Sequence, residues 1–203
     1  MPRSWIAASL GLAALLTVGG LMARWGQGAV GNERSSDQGL ISFAGASSAR
    51  QFLTPQESLD AARRGWLPRG TRSIISTDGP LTHGDWRWDD SAVPQGPITV
   101  RVDLPRQLVS VFKGPDEIGT AVVLYGAQGK ETPRGKLPIL GKTRNYHSIT
   151  YDAPMPFSLW LRDDGVALHG SSVKMGRATN GCIGVPVEFA EKLFAVIGVG
   201  DIV

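Results

Sequence analysis

Ile98-Thr99-Val100-Arg101-Val102-Asp103 alternates apolar and polar side chains, the period-two pattern of a strand with one face in a core and the other in water. The hundred residues that follow keep this character. Leu108–Phe112, Thr120–Tyr125, Ser158–Arg162 and Val166–His169 are further short β-type runs, separated by turns such as Lys113-Gly114-Pro115-Asp116 and Arg162-Asp163-Asp164-Gly165. That spacing predicts a compact sandwich or barrel. One helix interrupts the strands. Pro186 can open it, and Val187, Ala190, Leu193, Phe194 and Ile197 recur at helical spacing before Gly198, so an amphipathic helix is expected to pack on the sheet. Asp201–Val203 reads as a short closing strand. The fold class expected is mostly β, a compact sandwich with one or two short helices.

Upstream, the organisation is looser. Arg3 precedes an uncharged run from Trp5 to Ala23 that ends at Arg24, and this predicts an export segment over residues 1–23, either cleaved or retained as a membrane anchor helix. Residues 24–51 are rich in Gly, Ser, Ala, Asn and Gln, too polar to bury a core, and are expected to form a flexible linker. Thr54-Pro55-Gln56-Glu57 has the capping-box pattern with proline at the first helical position. It predicts a helix of two to three turns ending at Gly65. Trp66 to Gln95 shows no clear periodicity and is read as irregular chain, so residues 52–96 form a short helix and an irregular segment ahead of a domain at 97–203.

The chain has 203 residues, 42% of them hydrophobic, enough for one ordinary core. Its 21 basic and 18 acidic residues are scattered without blocks of like charge, which argues against nucleic acid as a partner. Cysteine usage is more informative. There is one, Cys182; an exported chain in an oxidising compartment ordinarily pairs its cysteines or lacks them. A lone cysteine is also compatible with an inert apolar role. A redox cycle is disfavoured, because no second cysteine exists to resolve a disulfide.

The context of Cys182 favours chemistry. His169, at a strand end, precedes it by 13 residues across a small, polar, glycine-containing loop, Gly170 to Gly181. Such a loop can fold back so that imidazole and thiol meet, and a cysteine nucleophile needs this because the free thiol, with a pKa of about 8.5, is mostly protonated at neutral pH. Gly181 lets the backbone turn tightly, aiming main-chain N–H groups at a tetrahedral oxyanion. The reading from the residues is Cys–His acyl transfer.

These residues resemble the L,D-transpeptidase catalytic domain of the YkuD type, whose signature is a His-Gly pair followed by a Ser/Thr-x-Gly-Cys-aliphatic segment. His169-Gly170 and Thr179-Asn180-Gly181-Cys182-Ile183 match it. Thr132-Pro133-Arg134-Gly135, Met155-Pro156-Phe157 and the closing Gly200-Asp201-Ile202-Val203 extend the resemblance over roughly Ile98 to Val203. It implies a peptidoglycan L,D-transpeptidase of the cell envelope, periplasmic or otherwise extracytoplasmic, acting on peptide stems and associated with the membrane through the N-terminal segment. Cys182 carries over as nucleophile, His169 as general base, and Thr179, Asn180 and Gly181 as the loop shaping the oxyanion site. No metal or organic cofactor is implied. Two positions depart from the pattern. Asn180 stands where histidine is frequent and cannot titrate near neutrality. Gly184 stands where arginine is common, and glycine offers no bidentate grip on a carboxylate.

Candidates for lining the substrate cleft are His147, Tyr151, Met155, Gly170 and Arg177, with Lys174 and Arg144 as other sources of positive charge. His83 is expected at the surface. A zinc site from His83, His147, His169 and Cys182 lacks the close paired spacing of zinc motifs. Trp66, Trp86 and Trp88 suit either a glycan shelf or a cover for the core. Two other functions stay open: an L,D-carboxypeptidase using the same Cys–His pair, and a catalytically impaired wall-binding module.

Overall fold

The computed structural model describes residues 50–203. The predicted export segment at 1–23, and the linker as far as residue 49, lie outside the described residues. Among the described residues no helix is long and apolar enough to cross a membrane.

Among the described residues two sheets and two helices make up the fold, in keeping with the mostly β expectation. The first sheet contains β1 (Arg50–Phe52), β2 (Ser73–Ile75), β6 (Asp116–Val122), β5 (Leu108–Lys113) and β4 (Ile98–Asp103) in that order, with β3 (Trp86–Trp88) also pairing with β6. β4, β5 and β6 form an antiparallel meander in which Val100 faces Val111 and Ser110 faces Thr120. The second sheet runs β10 (Ile183–Val185), β9 (Ala167–Gly170), β8 (Ala153–Trp160), β7 (Gly141–Ser148). β10 and β9 are parallel and the other neighbours antiparallel.

Alternation fills the core. Val109, Val111 and Ile118 of the first sheet and Leu159, Leu168, Ile183 and Val185 of the second belong to one buried cluster with Phe189, Ala190 and Leu193. The last three lie on α2 (Val187–Val196), the amphipathic helix expected after Pro186. Fully burying one such side chain is worth roughly 1.5–3 kcal/mol. Trp86 and Trp88 meet the Phe189 ring edge-on at centroid distances of 6.5 and 5.5 Å, so these two tryptophans cover the core instead of presenting a shelf. α1 (Pro55–Arg63) starts at the Thr54 capping box: Glu57 N–H donates to the Thr54 hydroxyl, and the Glu57 carboxylate accepts from the Thr54 N–H.

Three readings are corrected. Residues 66–95 are not wholly irregular, because β2 and β3 both dock on β6; three-residue strands are too short to show a period. The linker assigned to 24–51 overruns, because Arg50 and Gln51 already pair with Ile75 and Ile74. Arg50 is held by charge: its guanidinium donates to the carbonyls of Glu117 (2.6 Å) and Asp89 (2.7 Å) and to the Ser73 hydroxyl (3.1 Å). Gly141–Ser148 was assigned no strand and forms β7, a hairpin arm whose Arg144–His147 stretch is exposed and so carries little apolar alternation. The closing segment forms single bridges from Ile202 to Thr99 and Pro138.

Candidate active site

β9 and β10 place the candidate pair. Their parallel register sets Ile183 beside Leu168 and Gly184 beside His169. Ile183 and Leu168 point into the core. Side chains alternate along a strand, so His169 projects to the opposite face, and Cys182, one residue before Ile183, starts on that same face about two strand positions away.

The surroundings of each ring and thiol set its chemistry. His169 is buried, and its Nδ1 lies 2.9 Å from the Gly170 carbonyl oxygen. A carbonyl can only accept, so Nδ1 carries the proton and the lone pair of the neutral imidazole sits on Nε2. Burial pushes the His169 pKa below the ordinary histidine value. Burial likewise pushes the Cys182 thiol up; the backbone at Ala167 opposes this and the Asp164 charge adds to it. Both shifts favour the neutral forms, thiol and imidazole. The half-buried thiol reaches the Gly165 carbonyl at 3.8 Å.

The loop before Cys182 is fastened at Thr179. Its N–H donates to the Tyr125 carbonyl (2.9 Å), its carbonyl accepts from Ala127 N–H (3.0 Å), and its hydroxyl donates to the Cys182 carbonyl (2.5 Å). Gly181 has φ of +113°, a conformation side-chain-bearing residues rarely adopt. Its N–H donates to the Thr179 hydroxyl at 3.3 Å. Asn180 is exposed beside it. Gly170 has no room for a side chain: a Cβ there would stand 3.1 Å from Pro156 Cγ, 3.2 Å from the Pro156 carbonyl oxygen and 3.3 Å from Val187 Cα. The Met155-Pro156-Phe157 segment thus fixes the carbonyl that holds the His169 tautomer. Phe157 itself has φ of +55°, and it and Arg144 are the one unpaired position in an otherwise continuous β7–β8 register.

Other sequence candidates divide. Met155 is buried on β8 opposite Tyr146, and its carbonyl accepts from Ser158 (2.8 Å). His147 and Tyr151 sit at the outer end of the β7–β8 hairpin, where the His147 ring engages Asp152 at 2.9 Å and Tyr151 is exposed. Pairing of β8 with β9 runs through Leu159 and Trp160, at the hairpin's other end. Arg144 is committed elsewhere, to Glu191 at 3.5 Å and to the faces of Phe157 and Phe194. Lys174 and Arg177 are exposed in one turn, joined by the Arg177 N–H and the Lys174 carbonyl. Among the described residues no three His, Cys, Asp or Glu side chains gather as metal ligands would.

Sequence reasoning missed Gly126 and Ser171. A Cβ on Gly126 would stand 1.8 Å from the Lys130 carbonyl oxygen, and its N–H donates to the Thr132 hydroxyl (2.9 Å). This turn carries Tyr125 and Ala127, the backbone partners of Thr179. Ser171 occupies the space beside Gly184, where a Cβ would meet Ser171 Cβ at 3.0 Å and Leu124 Cβ at 3.5 Å. The missing arginine thus has a steric counterpart: the position beside Gly184 is already filled.

The family model for the L,D-transpeptidase catalytic domain (YkuD) matches residues 97–203, more than half of the chain. The chain belongs to this family. A comparison with curated proteins gave no match. Among solved structures, an L,D-transpeptidase from Stackebrandtia nassauensis is similar at 23% identity and a TM-score of 0.49, with 56% of this chain and 59% of that one covered. An L,D-transpeptidase from Enterococcus faecium is similar at 19% identity and a TM-score of 0.48, covering 53% and 49%. One from Mycobacterium tuberculosis H37Rv is similar at 16% identity and a TM-score of 0.48, covering 52% and 55%. The chain spans less than two thirds of the length of each.

Proposed function

We propose that this L,D-transpeptidase-family chain is a cell-envelope peptidoglycan L,D-transpeptidase working through a thioester on Cys182. The observation that carries the reading is the His169–Gly170 hydrogen bond (2.9 Å), on a strand whose register brings His169 to the face of the Cys182 loop. With Nδ1 tied to a carbonyl, Nε2 is the nitrogen available to take the thiol proton.

In the first half-reaction the Cys182 sulfur attacks the carbonyl after the diamino acid of a donor stem as its proton passes to His169 Nε2. The oxyanion is met by the Cys182 N–H on the loop turned by Gly181. Collapse breaks the amide bond, the departing amine takes the proton back from His169, and the terminal D-residue leaves. In the second half-reaction an amine on an acceptor stem attacks the thioester, His169 removes its proton, and the thiol is regenerated. The atoms balance without a cofactor. Residues 1–23 would export the chain and hold it at the membrane, and 24–49 would give the domain reach.

The test is mass spectrometry of the full chain incubated with tetrapeptide muropeptides, reading adduct and products together. The expected result is a Cys182 acyl adduct with cross-linked dimers. An adduct yielding only tripeptide would make the protein a carboxypeptidase, and folded protein without any adduct would overturn the assignment.

A further inference from the structure

The turn joining β8 to β9 carries Arg162, Asp163, Asp164 and Gly165, and this is the turn that the Cys182 thiol touches. The thiol donates to the Gly165 carbonyl oxygen at 3.8 Å and takes a further contact from the Ala167 backbone. At rest its proton is therefore directed to the β8–β9 turn, while the His169 ring is bonded through Nδ1 to Gly170.

Asp164 builds that turn. Its Oδ1 accepts from Val166 N–H at 3.4 Å, and its Oδ2 accepts from Arg162 Nε at 2.9 Å and pairs with a second guanidinium nitrogen at 2.8 Å. Leu161 N–H donates to the Val166 carbonyl at 2.9 Å and closes the turn, with Gly165 at φ of +92°. One carboxylate thus fastens both sides of Gly165, whose carbonyl meets the sulfur. The hydrogen bonds from Arg162 hold the Asp164 carboxyl below the usual carboxylate range, so it is negatively charged at neutral pH.

That charge has few rivals near the sulfur. Burial pushes the Cys182 thiol up, the Ala167 backbone opposes this, and Asp164 is the ionised side chain that adds to it. On β9, burial favours the neutral form of His169. On the other side of the loop, Lys130 and Glu131 approach Gly181 by their main-chain carbonyls, and the Glu131 carboxylate accepts from Gly129 N–H at 2.8 Å. Asp163, Lys174 and Arg177 are exposed. Arg162 and Asp164 are themselves 47% and 49% exposed, so salt must screen whatever their charges do.

We propose that Arg162 and Asp164 are positioning residues for the Cys182 thiol: Asp164 seats the Gly165 carbonyl on the sulfur and sets a negative charge beside it, and Arg162 governs how much of that charge the sulfur meets. The pair regulates the site that the transpeptidase reading uses, and only its part in acyl transfer rests on that reading. A sulfur kept protonated at rest is restrained toward stray electrophiles, because the thiolate is the form that is alkylated or oxidised.

The test uses the full chain with Asp164→Asn, Arg162→Gln and both together. Asparagine keeps an acceptor for Val166 and removes the charge. Alkylation by iodoacetamide, in which the sulfur displaces iodide and the thiol proton goes to solvent, is followed against pH and ionic strength, with thermal unfolding alongside. Acylation by a tetrapeptide muropeptide is followed over the same pH range. Asp164→Asn should be alkylated about threefold faster at neutral pH, with its midpoint moved to lower pH, and the acylation profile should move the same way. Arg162→Gln should be slower with a higher midpoint, and the double variant should follow Asp164→Asn. These differences should shrink between about 0.05 M and about 1 M salt, to which a purely structural role would be indifferent. An unmoved midpoint in folded Asp164→Asn, or a change that salt leaves intact, would overturn the proposal. Should Asp164→Asn unfold, the sign of the Arg162→Gln shift decides, and a midpoint that falls or stays put overturns it. Failure of the unsubstituted protein to form a muropeptide adduct would overturn the transpeptidase reading instead, while the alkylation midpoints would still decide the role of the pair.

Discussion

Replacing Gly184 by alanine tests why this chain lacks a side chain two residues after its cysteine. The new Cβ would stand 3.0 Å from Ser171 Cβ and 3.4 Å from Ser171 Oγ, whereas carbon pairs settle at about 3.5–4.0 Å. Neither partner is free to yield. Gly184 exchanges both backbone hydrogen bonds with Leu124, at 2.8 and 2.9 Å, and Ser171 N–H donates to the Val185 carbonyl at 2.7 Å. Overpacking of this kind costs about 1–3 kcal/mol, and for a domain of this size each kcal/mol moves Tm by roughly 2–4 °C, so a fall of roughly 2–12 °C is expected. Ser171→Gly should remove the obstruction. In the double-mutant cycle the pair should then show a favourable coupling of about 1–2 kcal/mol. The assay is thermal and urea unfolding of the four proteins. A Gly184→Ala protein within about 0.5 kcal/mol of the parent, or an undiminished penalty in the Ser171→Gly background, would refute the steric account.

Other outcomes follow from the same geometry. Cys182→Ala should abolish both adduct and turnover, with Tm within a few degrees of the parent because a half-buried loop thiol contributes little packing; residual turnover above background would remove Cys182 from the mechanism. Because burial holds His169 below the ordinary histidine value of about 6.5, its imidazole should stay neutral at pH 6.5, and acylation should fall only at lower pH. The sign for stability is the same: between the lowered pKa and 6.5 the unfolded chain binds more protons, so stability falls as pH drops through that window. His169→Gln should abolish the acid limb along with most of the rate, and a limb that survives the substitution belongs to another group. Arg50→Ala removes three donated hydrogen bonds in a largely buried setting and should destabilise the protein by about 3 kcal/mol. An unfolding midpoint equal to the parent's would show β1 to be dispensable.

Legibility in the sequence followed the physics of each element. β4 and β5, half-buried with one wet face, carried the period-two signal and were placed to within a residue; α2 announced itself through its apolar stripe. β6 was read as starting at Thr120 but begins at Asp116. Its first residues are Asp116 and Glu117, acids that look like turn residues and are in fact buried, one beneath Arg72 and Ser73 and the other accepting from Ile75 N–H at 3.0 Å. β7 was missed for the opposite reason, polar residues on an exposed hairpin. The position of His169 at a strand end beside the Cys182 loop was legible because their spacing encodes a fold-back loop. Ser171 beside Gly184 and the Lys130 carbonyl against Gly126 were not, since both are contacts between segments that only the packing of one sheet against the other creates.

That packing also explains how a loop of small polar residues can hold the Cys182 thiol in place. Leu124, buried just after β6, hydrogen-bonds in both directions to Gly184 of β10; two residues later Gly126 bridges Thr179. The stretch from Leu124 to Ala127 thus ties the first sheet to the second on both sides of Cys182, at Thr179 before it and Gly184 after it. Between those ties only Asn180 to Ile183 remain, and Ile183 is locked into the core. The thiol's position is therefore set by backbone hydrogen bonds between sheets and by one buried isoleucine, with no side chain of the loop needed beyond the Thr179 hydroxyl. Such a site tolerates wide variation in Ser172 to Ala178, where the chain is mostly exposed and only Val173 is buried, and little at Gly126, Thr179, Gly181 and Gly184.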